Sequence, residues 1–233
     1  MTTARNAPAM ASPGDATIWL RRAREDIGSV CRTLYQRGWM EGTSGNVSVS
    51  DGSVAVISAS GRAKGRMTAR DTVALRLADG SPLPGESERP SAETSIHLAV
   101  YRAIGATAAV IHAHSPYATA LSARHERHGG TGSVLLERWE LAKGLGMREP
   151  DLVALPVFLN RSDVPRIAQE VTEHLERADV RTPPALLIAR HGLTVWGRDV
   201  DQAQNRLECV EALCRLALLT DANERGEQYG ESA

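Results

Sequence analysis

The sequence predicts an α/β layer protein folded as a single domain. Three observations predict it. Short runs rich in β-branched residues alternate with longer amphipathic stretches, so strands and helices interleave along the chain. Asp51-Gly52 sits between two such runs, and that dipeptide demands an antiparallel hairpin. No repeat and no linker-like stretch divides the 233 residues, a length that supplies ample core for one large domain.

The elements follow in order. Residues 1–14, "MTTARNAPAMASPG", are small and polar and read as a disordered tail; the domain is expected over 15–224 and a polar tail over 225–233. A first helix starts at an N-cap Asp15 and stops at Gly38, with Ile18, Ile27, Val30 and Leu34 on its buried stripe. "NVSVS" and "VAVIS" flank the Asp51-Gly52 turn. A glycine-rich loop "ASGRAKGRMTARD" leads to the strand "TVALRL" and a turn at Asp79-Gly80. Ser91 caps a helix over "AETSIHLAVYRAIG". The strand "AAVIHAH" runs into Ser115-Pro116, an N-cap followed by proline at the first helical position. Residues 125–132 form a loop and "LLERWELAKGLG" has mixed helical character. "LVALPVF", "PALLIAR" and "LTVWG" are strands, "SDVPRIAQEVTEHLERA" is a helix, and a long helix closes the domain from Asp199 onward.

Composition narrows the function classes. A net charge of −1 with 42% hydrophobic residues shows no basic stripe that would fit nucleic acid. Three cysteines (Cys31, Cys209, Cys214) form neither a zinc-finger pattern nor an even disulfide set, and this predicts a reducing, cytoplasmic setting. No apolar run is long enough to cross a membrane, and no signal peptide is expected. Of 27 basic residues only Lys64 and Lys143 are lysines. Either the bias is compositional, or these positions need a compact ammonium that arginine cannot mimic.

The chemistry concentrates in "VIHAHS". In a strand His112 and His114 project to one face with Ala113 opposite. They are two ligands of a metal site, or two polar residues where a strand meets solvent. His191 follows the strand "ALLIA" and stands at the mouth of a buried strand, as His114 does, and three neutral imidazoles with an open position make a Lewis-acid centre. His97 reads as a structural histidine within a helix; His125, His128 and His174 read as surface residues. Glu93 lies one turn before His97. Glu140 stands between Trp139 and Leu141, and a carboxyl lodged among apolar groups suits proton transfer near neutrality; the alternative for both glutamates is an exposed charge. "TSGN" (43–46), "ASG" (59–61) with Lys64, and "PSA" (90–92) are turns, or a cradle of N–H groups and hydroxyls for a phosphate.

The ordered set "TSGNVSV", "SASGRAKG", "PSAETSIHLAVY", "VIHAHS" and "RHG" resembles the class II aldolase/adducin family over roughly residues 17–220. That resemblance implies a three-layer α/β/α domain with a mixed, largely antiparallel central sheet, commonly assembled as a homotetramer. It implies one zinc per subunit on His112, His114 and His191. It also implies a sugar phosphate near Asn46, Ser60, Gly61 and Ser91, with Lys64 and Glu93 as further substrate contacts. "RWELAKGLG", "LPVFLNRSDVPRIAQEV" and "RHGLTVWGRDVDQAQNRLECVEAL" resemble the methylthioribulose-1-phosphate dehydratase branch, although "REPDLVALP" lacks a His-Glu pair often found there. The branch implies dehydration of a phosphorylated ketose in methionine salvage, with Glu140 as general acid/base. A sugar-phosphate aldolase or pentulose-phosphate epimerase is the alternative, and a non-catalytic adducin-type module a more distant one.

Overall fold

The computed structural model describes residues 13–105, 108–127, 132–147, 151–177 and 182–230. One eight-stranded sheet, ordered β3-β2-β1-β4-β8-β7-β6-β5, runs through them. Its strands are β1 (Asn46–Ser50), β2 (Val54–Ser58), β3 (Thr72–Arg76), β4 (Ala108–Ala113), β5 (Gly132–Glu137), β6 (Leu152–Phe158), β7 (Ala185–Ile188) and β8 (Gly192–Gly197). Only β6 and β7 pair in parallel; every other neighbouring pair is antiparallel. The expected α/β/α architecture with a largely antiparallel sheet is the one observed.

The two faces carry separate cores. On one, α1 (Pro13–Gln36), α3 (Pro116–Arg127) and α5 (Val200–Gly230) bury Ile27, Leu34, Leu121, Leu207 and Leu213 against Val47, Ala109, Ile111 and Val195. On the other, α2 (Thr94–Ile104) and α4 (Val164–Glu176) bury Ile96, Val100, Ile167 and Val171 against Val110, Leu186 and Trp196. Alternation along β4 explains the split: Ala109, Ile111 and Ala113 face the first layer, so Val110 and His112 face the second.

Local chemistry accounts for the ends of these elements. Asp51 Oδ1 accepts the N–H groups of Ser53 and Val54 at 2.8 Å each, and Gly52 takes φ 96°, closing the predicted hairpin. The first helix ends where Gly38 adopts φ 71° and Trp39 N–H reaches back to the Leu34 carbonyl. Ile27, Val30 and Leu34 are buried as expected, but Ile18 is 46% exposed. Nine residues separate it from Ile27, which at roughly 100° per residue places it on the opposite face. α2 begins later than expected: Glu93 stands at the N-cap position, and Ser91 Oγ accepts the Glu93 N–H instead of capping the helix.

Two elements depart further from expectation. "GSVLLE" forms β5, an edge strand, and Glu140–Leu145 is a 3₁₀ helix. Helix α5 continues to Gly230, into the stretch read as a tail, and α1 starts at Pro13; residues 1–12, 231–233 and His128 lie outside the described residues. Among the described residues no helix is long and apolar enough to cross a membrane.

Candidate active site

His112 is the most enclosed of the three candidate ligands, at 1% exposure in the penultimate position of β4. Its register partners are Asn46 on β1 and Thr194 on β8, so three neighbouring strands present one row of polar side chains. Thr194 Oγ1 lies 3.0 Å from His112 Nδ1. With the hydroxyl accepting from Nδ1–H, Nε2 carries the lone pair, the arrangement that orients a ligating imidazole. Two glycines let the neighbouring strands close in. Gly45 (φ 74°) leaves no room for a Cβ, which would lie 2.9 Å from the His112 carbonyl oxygen. A Cβ at Gly192 would collide with the Ala113 carbonyl and sit 3.1 Å from His112 Cε1.

His114 and His191 complete the group. His114 follows β4, and its N–H donates to the Trp39 carbonyl at 2.9 Å. His191 sits in the β7–β8 turn, which reverses through Arg190 at φ 55°, a left-handed conformation unusual for a residue with a Cβ. One nitrogen from each of His112, His114 and His191 lies within 4.8 Å of the others. Their rings are mutually steep, at 75°, 82° and 89°, with centroids 4.7–5.1 Å apart. Nitrogens bound to one tetrahedral zinc stand roughly 3.4 Å apart, so modest closure brings this set to ligand spacing.

The electrostatics fit a cation. Burial pushes the His112 imidazole below its usual range, partly opposed by Glu93 and reinforced by His191. Burial, with His112 and His191, brings His114 down to about 4. Both are therefore neutral near pH 7, the form that ligates. Glu93 Oε1 is 3.0 Å from His191 Nε2, and Oε2 is 3.4 Å from His112 Nε2. Oε2 also accepts from Asn46 Nδ2 at 2.6 Å. Burial alone would raise the Glu93 pKa; His112, the His191 contact and Asn46 outweigh it and hold the carboxyl well below the usual range. Buried His112 Nε2 and His191 Nδ1 have no hydrogen-bond partner. A carboxylate, three imidazoles and unpartnered ring nitrogens form a donor set suited to a divalent ion.

A cleft of about 350 Å³ opens beside this group and brings together most of the sequence-predicted positions. Asn46, Ser60, Gly61, Lys64, Ser91, Glu93, His114 and His191 all line it, while His112 is buried against Glu93 and His191 without lining it. Lys64 is 2% exposed, with Nζ 2.9 Å from the Thr43 carbonyl and 3.1 Å from the Arg62 carbonyl. Those bonds fix an ammonium at the cleft wall with one of its three N–H groups left over; burial depresses its pKa. Lys143, by contrast, is a surface residue. Sequence reasoning missed Thr194 and Val164, the latter a lining residue from the start of α4; no local signal marks either.

Glu140 stands elsewhere. Its side chain is 84% exposed and pairs with Lys143 Nζ at 2.9 Å. It lines a separate surface cleft with Arg138, Trp139, Lys143 and Asp151, which shares no residue with the histidine cleft. The apolar surroundings expected for it are absent from the described residues of one chain, because the 3₁₀ helix turns Ala142 and Leu145 inward and leaves Glu140 and Leu141 outside.

Comparison with known proteins agrees with this geometry. Residues 25–218 match the class II aldolase and adducin N-terminal domain. A probable bifunctional methylthioribose-1-phosphate isomerase/methylthioribulose-1-phosphate dehydratase of Nocardia farcinica is 50% identical over 83% of this chain, which spans only 35% of that longer protein. The methylthioribulose-1-phosphate dehydratase of Microcystis aeruginosa is 39% identical over 82% of this chain and 93% of its own. Among solved structures, YgbL of Klebsiella pneumoniae, a putative aldolase/epimerase/decarboxylase, superimposes with a TM-score of 0.70 at 27% identity, covering 86% of this chain and 90% of that one. An L-fuculose-1-phosphate aldolase of Thermus thermophilus gives 0.67 at 25% identity, covering 88% and 95%. With most of its length matched and its ordered motifs gathered around one cleft, the chain belongs to the class II aldolase/adducin family.

Proposed function

We propose that this protein dehydrates 5-methylthioribulose 1-phosphate to 2,3-diketo-5-methylthiopentyl 1-phosphate, a step of methionine salvage in the cytoplasm. The observation that carries the reading is the juxtaposition in one cleft of His112, His114 and His191 with buried Lys64 and the small residues Ser60, Gly61 and Ser91. Relatives bearing the dehydratase name over nearly their whole length support the substrate. The three free cysteines fit a reducing compartment.

The three histidines would hold one zinc ion, which supplies Lewis-acid polarisation of the substrate's carbonyl. Lys64 and the amides and hydroxyls of the small-residue loops hold the phosphate and fix the sugar's orientation. Asn46 steadies the Glu93 carboxylate at the cleft wall, where it contacts substrate. The carbon beside the carbonyl gives up a proton, the next carbon loses its hydroxyl as water, and the resulting enol returns as the second carbonyl. Glu140 moves the protons. Since it lies outside the histidine cleft of its own chain, it serves the cleft of a neighbouring copy. Exposed Leu135, Leu141 and Leu152 around it offer the apolar surface that a homotetramer would bury.

The test is to incubate zinc-loaded protein with methylthioribulose 1-phosphate and follow diketone formation. Stoichiometric diketone is expected, and none, with substrate untouched, would refute the reading. A sugar-phosphate aldolase or epimerase is the second reading, favoured by the placement of Glu93 against the triad. Carbon–carbon cleavage or epimerised substrate in place of diketone would select it.

A further inference from the structure

Glu211 on α5 is only 4% exposed and does not line the histidine cleft. Its two oxygens each accept one backbone N–H from the first turn of α3, Tyr117 to Oε1 and Ala118 to Oε2, both at 2.9 Å. In an ordinary N-terminus those amides would be satisfied by the local cap, here Ser115. Ser115 Oγ is instead buried without a hydrogen-bond partner. Capping has passed to a carboxylate more than ninety residues away, and a buried charge in that position holds its partners firmly.

The helix so capped starts two residues after His114. Before His114 the chain is held as well, since its N–H donates to the Trp39 carbonyl. The Arg37 guanidinium lies 5.2 Å from the Trp39 ring centroid and pairs with Glu208 at 3.0 Å. Glu208 and Glu211 are three residues apart, neighbours on α5. One helix thus holds the backbone directly after a candidate ligand, through a buried pair of hydrogen bonds, and reaches that ligand indirectly through a half-exposed ion pair to Arg37, two residues before the Trp39 that accepts its N–H.

We propose that Glu211 is a positioning residue for the metal centre: by clamping the N-terminus of α3 to α5 it fixes the backbone that carries His114, with Glu208 and Arg37 as a weaker second hold. This rests on the triad being a metal site. Without the clamp the β4–α3 junction loses its only side-chain cap among the described residues, and the third imidazole samples positions that the other two ligands cannot share.

The experiment measures Co²⁺ affinity of the metal-free protein by chelator competition, together with the visible d–d spectrum and the thermal midpoint. Wild type is expected to bind one Co²⁺ per chain. Glu211→Gln and Glu211→Ala should bind about 10- to 100-fold more weakly, as outer-shell losses typically do, with an altered spectrum. Glu208→Gln should lose no more than about threefold, since its pair is half exposed. Asp199→Ala is the structural control. Asp199 Oδ1 caps α5 at Gln202 N–H (2.7 Å), so its loss should lower the midpoint and leave Co²⁺ affinity unchanged. If Glu211→Ala fails to fold, Glu211→Gln, which keeps one acceptor oxygen, decides the matter. Folded Glu211 variants that bind Co²⁺ within twofold of wild type would overturn the proposal, as would an equal loss in Asp199→Ala. Wild type that binds no Co²⁺ would overturn the metal reading and this one with it.

Discussion

The histidine cleft and the Glu140 segment carry the two halves of the proposed chemistry, and they are built in opposite ways. His112 is buried between Asn46 and Thr194 on paired strands, with glycines on either side that allow backbone to close around it. Glu140 begins a 3₁₀ helix beside an edge strand and points into solvent. Ligands of a metal must converge within tenths of an ångström, which a sheet interior provides from one chain. A proton carrier on a surface element can be brought in by assembly. Under the proposed function, the rigid part of the site would lie inside the subunit and the adjustable part on its surface.

The largest effects fall on the rigid half. His112→Ala and His191→Ala should each empty the site, while His174→Ala should not, and metal analysis reads this directly. Turnover should drop by at least about a thousandfold, since the lost Lewis acid is worth several kcal/mol. Full metal occupancy in both ligand variants would break the comparison at its first term.

The next effect tests the boundary. Glu140→Gln should lower turnover roughly a hundred- to ten-thousand-fold with metal content unchanged. Mixing it with His112→Ala sharpens the point. If Glu140 serves a neighbouring cleft, random reassortment pairs an intact triad with an intact Glu140 in about a quarter of sites, and activity returns to that extent. No recovery after verified subunit exchange would place Glu140 in its own chain's cleft or outside the reaction.

Lys64 belongs to the rigid half, with a smaller expected effect. Lys64→Ala removes a charge-assisted hydrogen bond worth about 1.5–3 kcal/mol, so KM for the phosphorylated ketose should rise about 10- to 100-fold. The ammonium is enclosed by the Thr43 and Arg62 carbonyls, so Lys64→Arg, with its planar fork, should be damaging too. An unchanged KM in Lys64→Ala would remove Lys64 from the phosphate site.

What was legible in the sequence follows the same division. Period-two alternation suffices to place His112 and His114 together, and strand ends followed by Ser-Pro or Gly mark the cleft's rim. The small-residue loops were readable only as turns from their glycine and hydroxyl side chains; that they line one cleft followed from the order of motifs in the family resemblance. The surroundings of Glu140 were not readable, because Trp139 and Leu141 beside it in sequence say nothing about which side the 3₁₀ helix turns outward. β5 was missed because, as an edge strand, it exposes Leu135 and so lacks a clean polar alternation. Glu211 was invisible because its partners lie more than ninety residues away in the sequence, and no local pattern encodes such a contact.

The smallest predicted effect concerns the packing beneath the site. His97 is 1% exposed, with Nδ1 2.6 Å from Ser48 Oγ, which in turn lies 2.6 Å from the Tyr101 hydroxyl. Burial, reinforced by His112 and opposed by Glu93, pushes its pKa down to about 3. An unfolded histidine titrates near 6.5. Between those values the unfolded chain takes up a proton that the folded one refuses, so stability falls as pH drops through that window and is unaffected above it. One such group contributes at most about 1.4 kcal/mol per pH unit. His97→Asn can retain a hydrogen bond to Ser48 while removing the titration. Urea unfolding of the two metal-free proteins between pH 7 and 4 should therefore give a shallower acid slope for the variant, whatever its stability at pH 7. Parallel slopes would mean that His97 gains its proton without leaving the fold, and that the layer under the cleft is looser than the cleft itself.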